Sequence, residues 1–191
     1  MNKTIKIALV GQPNVGKSML INSISNSRLK VGNFSGVTVE KKEVIFKYKD
    51  YNIKIIDLPG YYSLENYSLE EKVVKNFLNQ NEYDIILNVI DSTNLQRNLL
   101  LTSELLALNK KMVIALNMSD EAKKENILIN NEKLSSLLNT HCIKTSATKK
   151  DGITELLEQI IKTFKEDKTT FKYSFTTHIL NHDEILAKRF D

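Results

Sequence analysis

The chain has 191 residues, 41% of them hydrophobic and 26% charged, which suits one globular domain with room for a short appendage. Its net charge of +4 comes from 27 basic and 23 acidic residues, with no Arg-rich run and no basic stretch interleaved with aromatics, so a nucleic-acid partner is not expected. No apolar run approaches the ~18 residues of a membrane span, and the single cysteine, Cys142, cannot form an internal disulfide, in keeping with a soluble chain in a reducing cytosol.

The opening "MNKTIKIALVG" enters a strand pattern directly, without secretory-signal features, and ends at Gly11. "KSMLINSIS" follows as a helix. "VGNFSGVTVE", residues 31 to 40, is polar with two glycines and is expected to be a mobile loop. "KKEVIFKYK" and "YNIKIIDL" predict two strands joined by a turn around Asp50. "EEKVVKNFLNQ" predicts a helix with Leu69, Val73 and Phe77 on one face. "YDIILNVID" predicts a buried strand, "LQRNLLLTSELLALN" a helix and "KMVIALN" another strand. Short helical material runs through "EKLSSLL", and "HCIKTSA" is the last strand. "GITELLEQIIKTF" is the clearest helix, because Ile153, Leu156, Leu157, Ile160, Ile161 and Phe164 recur at helical spacing. Alternating strands and helices predict an α/β fold with a mostly parallel sheet and its ligand at the carboxyl ends of the strands. The expected domain covers residues 1–165, and residues 166–191 read as a linker or truncated helical element.

"GQPNVGKS", residues 11 to 18, fits G-x-x-x-x-G-K-[ST] and lies between a strand and a helix, where such a loop must lie. Its backbone N–H groups are expected to cradle the β-phosphate. Lys17 supplies charge to the β- and γ-phosphates, and the Ser18 hydroxyl is a ligand for Mg²⁺. The loop alone does not choose between ATP and GTP; "NMSD", residues 117 to 120, does. At a strand's carboxyl end, Asp120 can accept from guanine N1–H and its exocyclic amine, a donor pair adenine lacks. Two charged hydrogen bonds at about 1.5–3 kcal/mol each give ample discrimination. Asn117 is expected to brace the neighbouring loops, and in "TSATKKDG" the Ala147 N–H can reach guanine O6. Asp57, closing "IKIIDLPG", suits Mg²⁺ held through water, and Gly60 offers an N–H to the γ-phosphate. Thr38 is the natural second hydroxyl on Mg²⁺. Loops tied to the γ-phosphate at Thr38 and Gly60 are released on hydrolysis.

These residues resemble the translation-factor-like GTPases and, within them, the N-terminal G domain of the FeoB family of prokaryotic ferrous iron transporters, over residues 5 to about 165. The most specific segments are "VGNFSGVTVEKKE", "DLPGYYSL" and "NVIDSTNLQRNLLLT". Met118 makes the guanine motif "NMxD", the form this family uses. Phe34 and Ser35 depart from the family's usual "GNWPG", and Gln12 from its usual "GNPN". The resemblance implies a three-layer, Ras-like G domain with six or seven strands and helices on both faces. It also implies a K⁺ ion held by Asn14 and by the backbone carbonyls of Gly32 and Phe34. A preorganised cation there offsets charge that grows as the phosphate bond breaks.

The expected nucleotide contacts are Gly11, Pro13, Asn14, Val15, Gly16, Lys17, Ser18 and Met19 in the first segment, then Gly36, Val37 and Thr38, then Asp57 and Gly60. Asn117, Met118 and Asp120, with Ser146, Ala147 and Thr148, complete the base side. Asn14, Lys17, Thr38 and Gly60 form the expected catalytic set. No glutamine follows "DLPG" to orient water; Tyr61 stands there, backbone groups are left to position the water, and no general base is assigned. The implied activity is slow, K⁺-stimulated hydrolysis of GTP to GDP, with Mg²⁺. The implied partner is the membrane permease domain of the same longer chain, at the cytoplasmic side of the inner membrane. Self-association stays open. The alternatives are a stand-alone K⁺-dependent GTPase of ribosome assembly or tRNA modification, and a nucleotide-gated binding module with negligible turnover. His178 and His182 are spaced for one metal but have no evident third ligand, Cys142 reads as core, and Tyr61, Tyr62 and Tyr67 suit either a partner surface or loop packing.

Overall fold

The computed structural model describes residues 3–25, 30–62 and 68–166. In chain order the elements are β1 (Lys3–Gly11), α1 (Lys17–Ile24), β2 (Lys30–Asn33), β3 (Glu40–Tyr48), β4 (Tyr51–Asp57), α2 (Leu69–Gln80) and β5 (Ile85–Asp91). A short 3₁₀ turn (Ser92–Asn94) leads to α3 (Leu95–Leu106), β6 (Met112–Asn117), α4 (Ser119–Lys124), α5 (Asn131–Leu138), β7 (His141–Lys144) and α6 (Ile153–Lys165). The seven strands form one sheet in the order β2-β3-β4-β1-β5-β6-β7. The β1–β4, β1–β5, β5–β6 and β6–β7 pairs are parallel, while β2–β3 and β3–β4 are antiparallel.

Two-residue alternation in the central strands makes the three layers. In β1, Ile5, Ile7 and Leu9 enter one core with Leu20 and Ile21 of α1 and Leu156 and Ile160 of α6. Ala8 and Val10 enter the other core, with Val74 and Phe77 of α2, Leu99 and Leu105 of α3 and Leu134 of α5. Both faces of these strands are therefore buried, which is why they read as apolar runs. The loops at the carboxyl ends of β1, β4, β5, β6 and β7 come together on one rim.

Two regions differ from expectation. Residues 31 to 40 are not wholly loop: Lys30–Asn33 pairs antiparallel with Glu40–Glu43. The turn between them is closed by Phe34 N–H to Val39 O at 2.9 Å and Val37 N–H to Phe34 O at 3.2 Å. The Phe34 ring meets Phe77 of α2 edge-on at 5.9 Å, and Phe77 stacks on Tyr83. One aromatic anchor thus orders a stretch whose polar, glycine-bearing sequence predicts none. In α2, Val73 and Phe77 are buried but Leu69 is 47% exposed. Ser68 and Glu71 form a reciprocal capping box at the start of α2, so the helix begins by capping rather than by burying Leu69.

A buried strap fixes α3 to β5: Asn88 Nδ2 donates to Thr102 Oγ1 at 2.7 Å, and Thr102 Oγ1 donates to Asn98 O at 3.1 Å. At the other end of the sheet, Lys111 Nζ donates to the carbonyls of Phe164 and Glu166, closing the last turn of α6. Cys142 is buried, as expected. Among the described residues no helix is long and apolar enough to cross a membrane. Tyr67, His178, His182 and the tail from Asp167 onward lie outside the described residues.

Candidate functional site

The phosphate loop follows β1 and ends on Gly16, the N-cap of α1, at φ 85°. A side chain there is excluded twice: by the left-handed backbone and because a Cβ would lie 2.5 Å from Asn117 Nδ2. Asn14 also has a left-handed backbone, φ 67°, which Asn tolerates better than most residues. Its side chain is exposed, while Val15 is buried. Gln12 is 4% exposed and donates to Arg97 O at 2.8 Å, tying the loop to α3.

Lys17, Ser18, Thr38, Asp57 and Gly60 line one cavity of about 390 Å³. Gly60 sits close against the loop: a Cβ on it would come 3.0 Å from the Pro13 backbone and 3.3 Å from Lys17 Nζ. Burial pushes the Lys17 ammonium below its ordinary pKa, partly opposed by Asp57. Burial likewise pushes the Asp57 carboxyl up, opposed by Lys17 and then Lys42. Asp57 Oδ1 is buried and has no hydrogen-bond partner. A carboxylate oxygen in that condition, beside two exposed hydroxyl residues, suits a hydrated divalent cation. Ser18, Thr38 and Asp57 therefore fit Mg²⁺. Glu40, Lys42, Leu69 and Glu70 also line this cavity, and sequence reasoning missed them. Glu40 and Lys42 fall in the family-like segment "VGNFSGVTVEKKE" without a nucleotide role assigned to them; strand register and the start of α2 bring these four residues in.

The expected K⁺ set is less assembled. Gly32 lies in β2 opposite Lys41, and the Phe34 carbonyl accepts from Val37 N–H. Gly36 (φ 75°) and Val37 lie in this same turn. For Phe34 to serve an ion, the turn must open or its carbonyl must share a second lone pair. Tyr61 is 2% exposed, its hydroxyl has no partner, and burial pushes it well above its ordinary pKa, so it is no base at neutral pH. Tyr62 is exposed, with the Arg97 guanidinium 4.8 Å from its ring centre.

The base side is densely bonded. Asn117, 2% exposed, donates through Nδ2 to Val15 O at 3.0 Å. Its Oδ1 accepts from Ala147 N–H at 3.2 Å and from Thr145 Oγ1 at 3.4 Å. One side chain thus bridges the phosphate loop and the loop after β7. The Ala147 N–H, assigned to guanine O6 from sequence, is held by Asn117 here. Met118 is in the left-handed region and its methyl group approaches the space over Gly16; Met19 is 48% exposed. The Ser146 hydroxyl holds the Asp120 carboxyl below its ordinary pKa, helped by Lys149, whose Nζ lies 3.6 Å from Asp120 Oδ2. Ser146 Oγ also pairs with Thr148 Oγ1 at 3.1 Å. A larger cavity of about 630 Å³ adjoins Asp120 and Lys149, but its lining lacks Asn117, Met118 and Ala147.

A family model described as ferrous iron transport protein B matches residues 5–160. The Fe(2+) transporter FeoB of Helicobacter pylori strain J99 is 59% identical over 170 residues, covering 87% of this chain and 26% of that protein. The Campylobacter jejuni Fe(2+) transporter FeoB is 56% identical over 163 residues, covering 85% and 27%. This chain therefore spans about a quarter of the length of these curated relatives. Among solved structures, the cytosolic domain of the T. maritima FeoB iron transporter in a GDP form superposes with a TM-score of 0.86 at 38% identity, covering 90% of this chain and 67% of that one. The T. maritima FeoB G domain superposes at 0.79 with 41% identity, covering 84% and 98%. With a family match over most of its length and a GTPase fold throughout the described residues, the chain belongs to the ferrous iron transport protein B family, as its N-terminal G domain.

Proposed function

We propose that this chain binds GTP and GDP with Mg²⁺, hydrolyses GTP slowly with stimulation by K⁺, and acts as the nucleotide switch of a longer ferrous iron transporter. The observation that carries the reading is the unpartnered Asp57 oxygen in the cavity it shares with Lys17, Ser18 and Thr38, on the same rim as Asp120. The GDP form of the T. maritima relative supports a guanine nucleotide in this fold. Ser18, Thr38 and Asp57 hold Mg²⁺, which supplies positive charge to the phosphates when bound. Lys17 offsets the charge of the β- and γ-phosphates from a partly buried position, where the lower dielectric strengthens its pull. The Gly60 N–H orients the γ-phosphate, and the N–H groups of the phosphate loop, from Pro13's carboxyl side to Met19, wrap the remaining charge. Asp120 accepts from the guanine N1–H and amine. Asn117 keeps the phosphate and base loops in register.

Asn14, with an exposed side chain on the phosphate loop, places K⁺; Gly32 and Phe34 join it once their turn rearranges. The nucleotide domain covers residues 1–165, with residues 166–191 leading towards a membrane permease part on whose cytoplasmic side the domain sits. The cycle regulates or drives iron passage through that part. Single-turnover hydrolysis tests the reading: GTP should be cleaved at least about tenfold faster in KCl than in NaCl, as expected for a cation at the phosphate bond, and N14A should erase the difference. Equal rates in the two salts would remove K⁺ from the mechanism. Calorimetry showing ATP held as tightly as GTP would remove guanine.

A further inference from the structure

We propose that Lys42 senses the terminal phosphate: a second cation of the phosphate cavity, it exchanges its Glu40 partner for the γ-phosphate and so favours the triphosphate over the diphosphate. The inference deepens the guanine-nucleotide reading above and rests on it.

Lys42 belongs to none of the nucleotide motifs. It reaches the cavity through strand register, because β3 runs antiparallel to β4 and Lys42 stands directly opposite Asp57. Among the described residues, Lys17 and Lys42 are the two cations in the lining, against the carboxylates of Glu40, Asp57 and Glu70. The charge of Lys42 is felt by both Lys17 and Asp57. A nucleotide tail entering with Mg²⁺ adds net negative charge to a wall where carboxylates already outnumber cations, and a second cation offsets it. Lys17 is carried by the loop that wraps the β-phosphate. Lys42 is carried instead by the wall that holds Thr38 and faces the residues expected around the γ-phosphate.

Its present partner is easily replaced. Lys42 Nζ lies 3.2 Å from Glu40 Oε1, and the two side chains are 39% and 54% exposed. Exposed pairs of this kind contribute little and are screened by salt. Charge-assisted bonds to phosphate are stronger and more directional. The neighbouring lysines are committed elsewhere: Lys41 and Lys54 both hold Glu43, at 2.7 Å and 3.0 Å, and Lys41 also lies over the Phe34 ring. With a diphosphate bound, Lys42 keeps Glu40. With a triphosphate it turns inward, and the strand running on from Thr38 registers the difference.

Fluorescence titrations with GDP and with the non-hydrolysable analogue GMPPNP, both with Mg²⁺, test this. For K42Q the analogue should bind about tenfold more weakly, the loss expected of one charged hydrogen bond, while GDP changes by less than about twofold. K42R should restore the analogue. E40Q, which releases Lys42, should tighten the analogue and leave GDP alone. Equal losses for the two nucleotides in K42Q, no loss for either, or an E40Q that weakens the analogue as K42Q does would each overturn the inference alone. A wild-type chain that holds neither nucleotide would overturn the guanine-nucleotide reading and this inference with it.

Discussion

Two carboxylates on the same rim are held in opposite ways. Asp120 has a hydroxyl partner in Ser146 and a cation in Lys149, and its pKa lies below the ordinary carboxylate value. Asp57 is half-buried, with one buried oxygen that has no partner, and its pKa lies above that value. The base side is therefore organised before any ligand arrives, whereas the phosphate side leaves a buried carboxylate oxygen without a partner. Preorganisation favours specificity. Unsatisfied charge makes the phosphate side responsive to what is bound.

The sharpest way to break this contrast is D120A. Losing two charged acceptors at about 1.5–3 kcal/mol each should weaken guanine nucleotides by about 10²–10⁴-fold in calorimetry and erase preference over adenine nucleotides. N117A comes next, because it strands the buried Val15 carbonyl and the Ala147 N–H. At about 1–3 kcal/mol for each abandoned group, thermal unfolding of the empty chain should fall by about 4–24 °C for a chain this size.

D57N acts in the reverse direction on the empty chain. A carboxylate whose folded pKa is raised takes up a proton on folding, so it favours the folded state as pH falls through that window and disfavours it as pH rises. Removing the charge should raise the melting temperature of the nucleotide-free protein at neutral pH by a few degrees, while Mg²⁺-dependent nucleotide binding is lost. A melting temperature that falls instead would show Asp57 to be satisfied in the empty state. S146A is the smallest perturbation. Asp120, with its folded pKa lowered, contributes stability above the unfolded value and loses it as pH falls through the folded one. Without the Ser146 hydroxyl its carboxyl resonance should titrate closer to the ordinary value, and Asp57 should not move.

How much of this was legible in the sequence follows contact range. The phosphate loop, "NMSD" and the periodic helix α6 are local patterns, and each lies where its pattern predicts. Asn117 was readable as a brace because its motif sits at a strand end, though not its grip on both Val15 and Ala147. The order in residues 31 to 40 was not readable, since it depends on Phe34 finding Phe77 over forty positions away in the chain. Lys42 and Leu69 were hidden for related reasons. A cavity wall set by register, or by the start of a helix, leaves no mark on the residue that forms it.

The segment from Ser146 to Asp151 is closed by two backbone hydrogen bonds at 3.1 Å, and Gly152 packs so near β7 that a Cβ would lie 2.0 Å from the Lys144 carbonyl. That turn leads without slack into α6, a rod of about 20 Å at 1.5 Å per residue, whose far end Lys111 fastens beneath the sheet. The rod runs from the base-reading rim to the opposite edge of the domain. The base-side turn and the opposite edge of the domain are therefore spanned by one helix gripped at both of its ends.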